Sequence, residues 1–187
     1  EDVVVGTALV TMYGKVCKLN DAQRTFDSLL ERNAVSWTAL AALYANQRQH
    51  DVVLHLFQQM LNEAVLPSEV TFLVVLDACS SLKAFSQGTW IQSCIIGMEY
   101  SSNAVLGTAL LNMYGKCGGI LEAEHTFYAS AERDSILYNV MLSTYVEQGS
   151  GEMKALELFQ EMQERGLFLE DDDSAYVSIL RACSDMG

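Results

Sequence analysis

Histidines, cysteines and clustered carboxylates are the side chains most able to do chemistry, and in this chain each set fails on spacing. His50, His55 and His125 are the three histidines, and none opens an H-x-E. Cys17, Cys79, Cys94, Cys117 and Cys183 contain no C-x-x-C pair. A zinc deaminase needs both signatures, one for a metal ligand with its acid–base carboxylate and one to complete the coordination. His50 and His55 lie five residues apart and fall on different faces of a helix, so no metal site is expected of them. The GKCGGI run lacks the Gly-Lys-Ser/Thr ending and the preceding strand of a phosphate loop, and its glycines suit a turn. Asp171, Asp172 and Asp173 read as a solvated loop. No catalytic residue, cofactor, metal or small-molecule substrate is expected, and the chain reads as a non-enzyme.

Cys79 and Cys183 sit in near-identical settings, LDACS and LRACS, which expects two core thiols in a reducing compartment. That echo belongs to a larger repeat. Residues 3–33 align without a gap to residues 104–134, a shift of 101 residues. Gly6-Thr7-Ala8-Leu9 recurs as Gly107-Thr108-Ala109-Leu110, and Met12-Tyr13-Gly14-Lys15 as Met113-Tyr114-Gly115-Lys116. Each long unit divides again. Trp37, Leu40 and Tyr44 share their spacing with Tyr138, Met141 and Tyr145, with Gly6, Leu9 and Tyr13, and with Phe72, Val75 and Cys79. An i, i+3, i+7 spacing marks one face of a helix. A second stripe follows each first one, as in Leu19, Ala22 and Phe26 or Val53, Phe57 and Met60, after turns such as Gly118-Gly119 and Gly149-Ser150-Gly151.

The chain therefore reads as one array of helix-turn-helix repeats over 1–187: residues 3–33, 34–68, 69–103, 104–134 and 135–172, with a partial repeat at 173–187. A single proline in 187 residues suits an all-α protein. One helical hairpin cannot bury both its stripes, whereas stacked neighbours can. The expected fold is a right-handed α-solenoid whose first helices line a concave face. Ile179 and Leu180 are expected to lack a covering second helix. No apolar run approaches the roughly 20 residues of a membrane helix, and no membrane contact is expected. The opening EDVVV carries no leader, so a fragment of a longer protein is expected, with any targeting peptide outside it.

These repeats resemble the pentatricopeptide repeat family. Repeat 2 carries the family's Trp37, Leu40, Tyr44, Phe57, Met60 and Pro67-Ser68 at matching places. Repeat lengths of 31, 35, 35, 31 and 38 are similar to the mixed-length, PLS-type subfamily of land plants. The tetratricopeptide repeat shares the second-helix Ala and Phe but keeps a constant period and a Leu-Gly pair that this chain lacks.

The resemblance implies a sequence-selective adaptor that reads single-stranded RNA one base per repeat, in C-to-U editing or transcript processing in a chloroplast or mitochondrion. It places the readout at the fifth and last residues of each repeat: Thr7 with Asn33, Thr38 with Ser68, Leu73 with Asn103, Thr108 with Asp134, and Asn139 with Asp172. The second residue, Val4, Val35, Val70, Val105 or Ile136, would pack on the base. Lys15 and Lys116 match the family's phosphate position, where repeats 2, 3 and 5 have Asn46, Ser81 and Glu147. Ionised Asp only accepts hydrogen bonds and suits guanine or uracil, while Asn also donates and suits adenine or cytosine. The implied register is A-N-N-G-U, with Glu170 the alternative to Asp172.

Charge pulls the other way. The net charge is −13, with 11 basic and 24 acidic residues. That excludes a general polyanion binder and lets a basic protein partner dock on the acidic outer surface. A solenoid scaffold holding proteins in an organellar assembly stays open as the alternative. The polar pairs favour RNA, on the expectation that a scaffold has no need of them.

Overall fold

A computed structural model describes residues 3–16, 18–130, 132–149, 151–167 and 174–185. Among these residues there are eleven α-helices and no strand: α1 Val3–Lys15, α2 Leu19–Asp27, α3 Ala34–Asn46, α4 His50–Asn62, α5 Glu69–Leu82, α6 Phe85–Gly97, α7 Ala104–Lys116, α8 Ile120–Ala129, α9 Ser135–Glu147, α10 Glu152–Glu164 and α11 Ser174–Asp185. Odd-numbered helices are the first helices of the predicted repeats and even-numbered ones the second. No described helix is long and apolar enough to cross a membrane.

Packing divides the chain into two units, 1–82 and 83–187, with the division inside repeat 3 rather than at a repeat boundary. In the first unit, α1, α3 and α5 lie side by side, and α2 and α4 pack on them. In the second, α7, α9 and α11 form the row, with α6, α8 and α10 packed against it. The stripes read from sequence are the core. Ala22, Phe26, Trp37, Leu40, Val53, Phe57 and Met60 are buried in the first unit, and Ala123, Phe127, Tyr138 and Met141 in the second. Each large apolar side chain so buried contributes about 1.5–3 kcal/mol.

Two recurrent contacts tie one repeat to the next. An aromatic ring on a second helix meets one on the following first helix edge-on: Phe26–Trp37 at 4.7 Å, Phe57–Phe72 at 5.8 Å, Phe127–Tyr138 at 5.1 Å and Phe159–Tyr176 at 5.7 Å. Such edge-to-face pairs add about 0.5–1.5 kcal/mol beyond burial. The first-helix tyrosine then donates its hydroxyl back to the previous second helix: Tyr44 to Gln23 Oε1 (2.8 Å), Tyr114 to Gln92 Oε1 (2.6 Å) and Tyr145 to Glu124 Oε1 (2.9 Å).

Turns between paired helices use one left-handed residue. It is Gly118 or Gly149 in two repeats, as the glycine pattern expects, but Arg48 (φ 58°) and Lys83 (φ 53°) in two more. The amide after it reaches back over the helix end, as in Gln49 N–H to Tyr44 O at 3.0 Å and Gly119 N–H to Tyr114 O at 2.9 Å.

The two matched cysteines part company. Cys79 is buried in α5, but Cys183 on α11 is exposed, which corrects the expectation of two core thiols. No further helix follows α11 among the described residues to cover it, and Leu180 on the same helix is 69% exposed.

Candidate nucleic-acid interface

The last residue of each repeat stands immediately before the next first helix, where four backbone amides lack intrahelical partners. Asn33 caps α3, with Oδ1 accepting from Ser36 N–H at 3.0 Å, and the Ser36 hydroxyl accepts from Asn33 N–H at 3.1 Å to close a capping box. Asn103 caps α7 through Leu106 N–H, and Asp134 caps α9 through Leu137 N–H, each at 2.9 Å. Ser68 Oγ accepts from Thr71 N–H at 3.3 Å ahead of α5. A scaffold therefore does need these polar residues, which corrects the sequence expectation. Helix capping alone selects Asn, Asp and Ser here.

Capping also fixes which atom is left over. With Oδ1 held by the helix end, the amide N–H2 of Asn33 and the second carboxylate oxygen of Asp134 are the terminal groups that the caps do not use. Both residues are exposed.

The fifth-position residues lie one turn into the first helices. Thr7 donates its hydroxyl to Val3 O (2.7 Å) and Thr108 to Ala104 O (3.1 Å), so each presents its oxygen as an acceptor. Thr108 and Asp134 line the same cleft in the second unit. Thr38 differs: it is 9% exposed, and its hydroxyl shares a 2.7 Å hydrogen bond with Thr71 Oγ1, which in turn lies 2.9 Å from Ser68 Oγ. The whole pair of repeat 2 is thus joined internally through Thr71.

Leu73 is half-buried in the first unit, and Asn103 belongs to the second. Asn139 is half-buried on α9, and its partner Asp172, with the alternative Glu170, lies outside the described residues. Val4, Val35, Val70, Val105 and Ile136 recur near the starts of the first helices and are 54–74% exposed. Five large apolar side chains exposed at one repeating place form a series rather than scattered surface residues. Lys15 and Lys116 are exposed in the last turns of α1 and α7, where a cation also complements the helix dipole.

Sequence reasoning missed Ser36 and Thr71, the residues that hold Asn33 and Ser68. The signal was present as N-x-x-S and S-x-x-T ahead of an apolar run. Among the described residues no three His, Cys, Asp or Glu side chains gather where they would hold a metal ion.

Comparison with known proteins follows the repeats. Residues 32–81 match the PPR repeat family and residues 136–167 match a PPR repeat. The chain is 36% identical over 181 residues to a pentatricopeptide repeat-containing protein of Arabidopsis thaliana, covering 97% of this chain and 24% of that protein. It is 37% identical over 166 residues to another from the same plant, mitochondrial by name, covering 89% of this chain and 26% of that protein. It thus spans about a quarter of the length of these relatives. Among solved structures, the pentatricopeptide repeat protein PPR10 in complex with an 18-nucleotide psaJ RNA element matches with a TM-score of 0.74 at 17% identity, over 99% of this chain and 28% of that one. The repeats' expected fold class, an all-α solenoid, is the one these comparisons support.

Proposed function

Because the chain belongs to the pentatricopeptide repeat family, we propose that it binds single-stranded RNA one base per repeat, as an adaptor in organellar RNA metabolism with catalysis supplied elsewhere. The observation that carries this reading is the state of Thr108 and Asp134. Thr108 has spent its proton on Ala104 O, and Asp134 has one oxygen on Leu137 N–H, so two acceptors face the same cleft. Two acceptors side by side suit guanine, whose ring N–H and amino group are adjacent donors. Thr7 and Asn33 offer an acceptor beside a donor, which suits the amino group and ring nitrogen of adenine.

Repeat 2 reads nothing in this account, because Thr38 and Ser68 are engaged with Thr71. Repeat 3 reads weakly, because Leu73 has no hydrogen-bonding group. Asn139 with Asp172 reads uracil, and the register is A-N-N-G-U. Val105 and Ile136, exposed on either side of the repeat 4 pair in sequence, would hold the guanine by its faces. C-to-U editing or transcript processing, in a mitochondrion or chloroplast, is the setting we assign.

The scaffold reading draws on the −13 charge and on capping as a sufficient reason for the last-position residues. Fluorescence anisotropy with short single strands separates the two. RNA reading expects A-N-N-G-U to bind about 5–10-fold more tightly than the same oligomer with adenine at the fourth base, the worth of about one hydrogen bond. Equal affinity for all oligomers would favour the scaffold.

A further inference from the structure

Threonines on these helices share one habit. Thr7, Thr25, Thr108 and Thr126 each give the hydroxyl proton to the carbonyl four residues back, at 2.7–3.1 Å. Thr38, the fifth residue of repeat 2, is engaged differently. Its hydroxyl shares a 2.7 Å hydrogen bond with Thr71 Oγ1 on α5, the next first helix. Thr38 is also buried, whereas Thr7 and Thr108, at the same place in repeats 1 and 4, are half-buried.

Thr71 is 2% exposed and gathers both members of the repeat 2 pair. Its Oγ1 accepts from Ser68 N–H at 3.0 Å and lies 2.9 Å from Ser68 Oγ, besides its bond to Thr38. The single hydroxyl proton of Thr71 serves one of these two neighbouring hydroxyls, and the other neighbour donates to it. In either arrangement the three hydroxyls close on one another.

The third residue of the following repeat is where the pairs part. After the repeat 4 pair it is Leu137, whose backbone N–H meets Asp134 and whose side chain has no hydrogen-bonding group. After the repeat 1 pair it is Ser36, whose hydroxyl accepts from Asn33 N–H at 3.1 Å and donates to Asn33 O at 2.9 Å. Those two bonds stay on Asn33, and Thr7 keeps its bond to Val3 O. Of these three residues, Thr71 is the one that reaches back to the fifth residue of the preceding repeat.

We propose that Thr71 is a positioning residue that sets the specificity of repeat 2: its hydroxyl ties Thr38 to Ser68 and makes that repeat a spacer accepting any base. The inference rests on base reading by the fifth and last residues, and it adds a residue outside those places that decides whether a pair reads at all. Without the Thr71 hydroxyl, Thr38 would return its proton to Ala34 O, four residues back, and present an acceptor as Thr7 and Thr108 do. Ser68 Oγ would keep the N–H of residue 71 and have its own proton free. An acceptor beside a donor is what Thr7 and Asn33 offer, so the unlocked repeat would read adenine.

Equilibrium binding of the full chain to four single strands, A-X-U-G-U with each base in turn at X, reads the second position. The parent is expected to bind all four within about 2-fold of one another. Thr71→Val, nearly the same shape without the hydroxyl, is expected to prefer adenine at X by about 5–10-fold, the worth of about one hydrogen bond. Adding Thr38→Val is expected to erase the gained preference. Thr71→Leu, which copies the Leu137 that follows the repeat 4 pair, decides the matter if the Thr71→Val chain does not fold. A merely structural role for Thr71 would weaken all four strands together and create no preference. A preference at X already present in the parent, none in the folded variant, or one that survives Thr38→Val overturns the proposal. Strands altered at the first or fourth base, titrated alongside, tell the two failures apart. A parent that discriminates there while the variant gains nothing at X loses the lock alone. A parent that discriminates at neither place loses base reading itself, and the lock with it.

Discussion

Asn33 and Asp134 each do two jobs with the two ends of one side chain. One oxygen closes a helix N-terminus, and in the proposed function the other terminal atom meets a base. The helix end, rather than the RNA, thus orients the amide of Asn33. Exchanging Asn and Asp at these places keeps the cap, so Asn33→Asp and Asp134→Asn are expected to shift stability by less than about 0.5 kcal/mol. Asn33→Ala and Asp134→Ala lose the cap and are expected to cost about 1 kcal/mol each. Urea melts of the four variants check this, and alanine variants as stable as the parent would remove the capping role. The resemblance made these positions legible as candidates. Their capping was not foreseen, although Asn or Asp ahead of an apolar run is a cap signal; the extended backbone at Asn33 (φ −120°, ψ 174°) and Asp134 (φ −85°, ψ 175°) is what realises it.

Helices and their order were legible because every repeat carries two 3.6-period stripes, and residues such as Leu40, Phe57 and Tyr138 are buried where the stripes put them. The turns were legible only where glycine marks them. Arg48 and Lys83 make the same left-handed turn as Gly118 and Gly149 and carry the strain of a Cβ in that region. Arg48→Gly is expected to stabilise the first unit by about 0.5–1 kcal/mol, and Gly118→Ala to destabilise the second by a similar amount, both read from chemical melts. Tyr138, whose hydroxyl donates to Glu161 on α10, adds a pH dependence that the sequence did not announce. Burial, then the hydrogen bond to Glu161 Oε1 at 2.7 Å, pushes the Tyr138 phenol up to about 12. The ordinary value is about 10, so the folded form holds the proton more tightly than the unfolded chain does. The resulting stability is complete below about pH 10 and is lost as pH rises towards 12. Tyr138→Phe is expected to reduce the fall in melting midpoint between about pH 9 and about pH 11.5. An unchanged fall would assign the alkaline loss to other groups.

Across the whole chain, acidic charge opposes RNA while two lysines invite it. If Lys15 and Lys116 are the phosphate contacts, the logarithm of affinity is expected to fall with the logarithm of salt with a slope of about −1.4, near −0.7 per contact on a single strand. Lys15→Gln or Lys116→Gln is expected to halve that slope, and duplex RNA is expected to bind barely at all, because its bases are not splayed to meet the first helices. A slope near zero for single strands would rule out this mode of binding. The order of bases is the most direct measurement of all. In a chain carrying both Asn33→Asp and Asp134→Asn, the two readers have changed places while both caps remain. Equilibrium binding to A-N-N-G-U and G-N-N-A-U single strands, for this double variant and the parent, tests whether those side chains read bases. The account predicts that the parent prefers A-N-N-G-U, that the double variant prefers G-N-N-A-U, and that each preference exceeds about 10-fold, two hydrogen bonds having been exchanged. Unchanged preference after the exchange, in a double variant as stable as the parent, would contradict it.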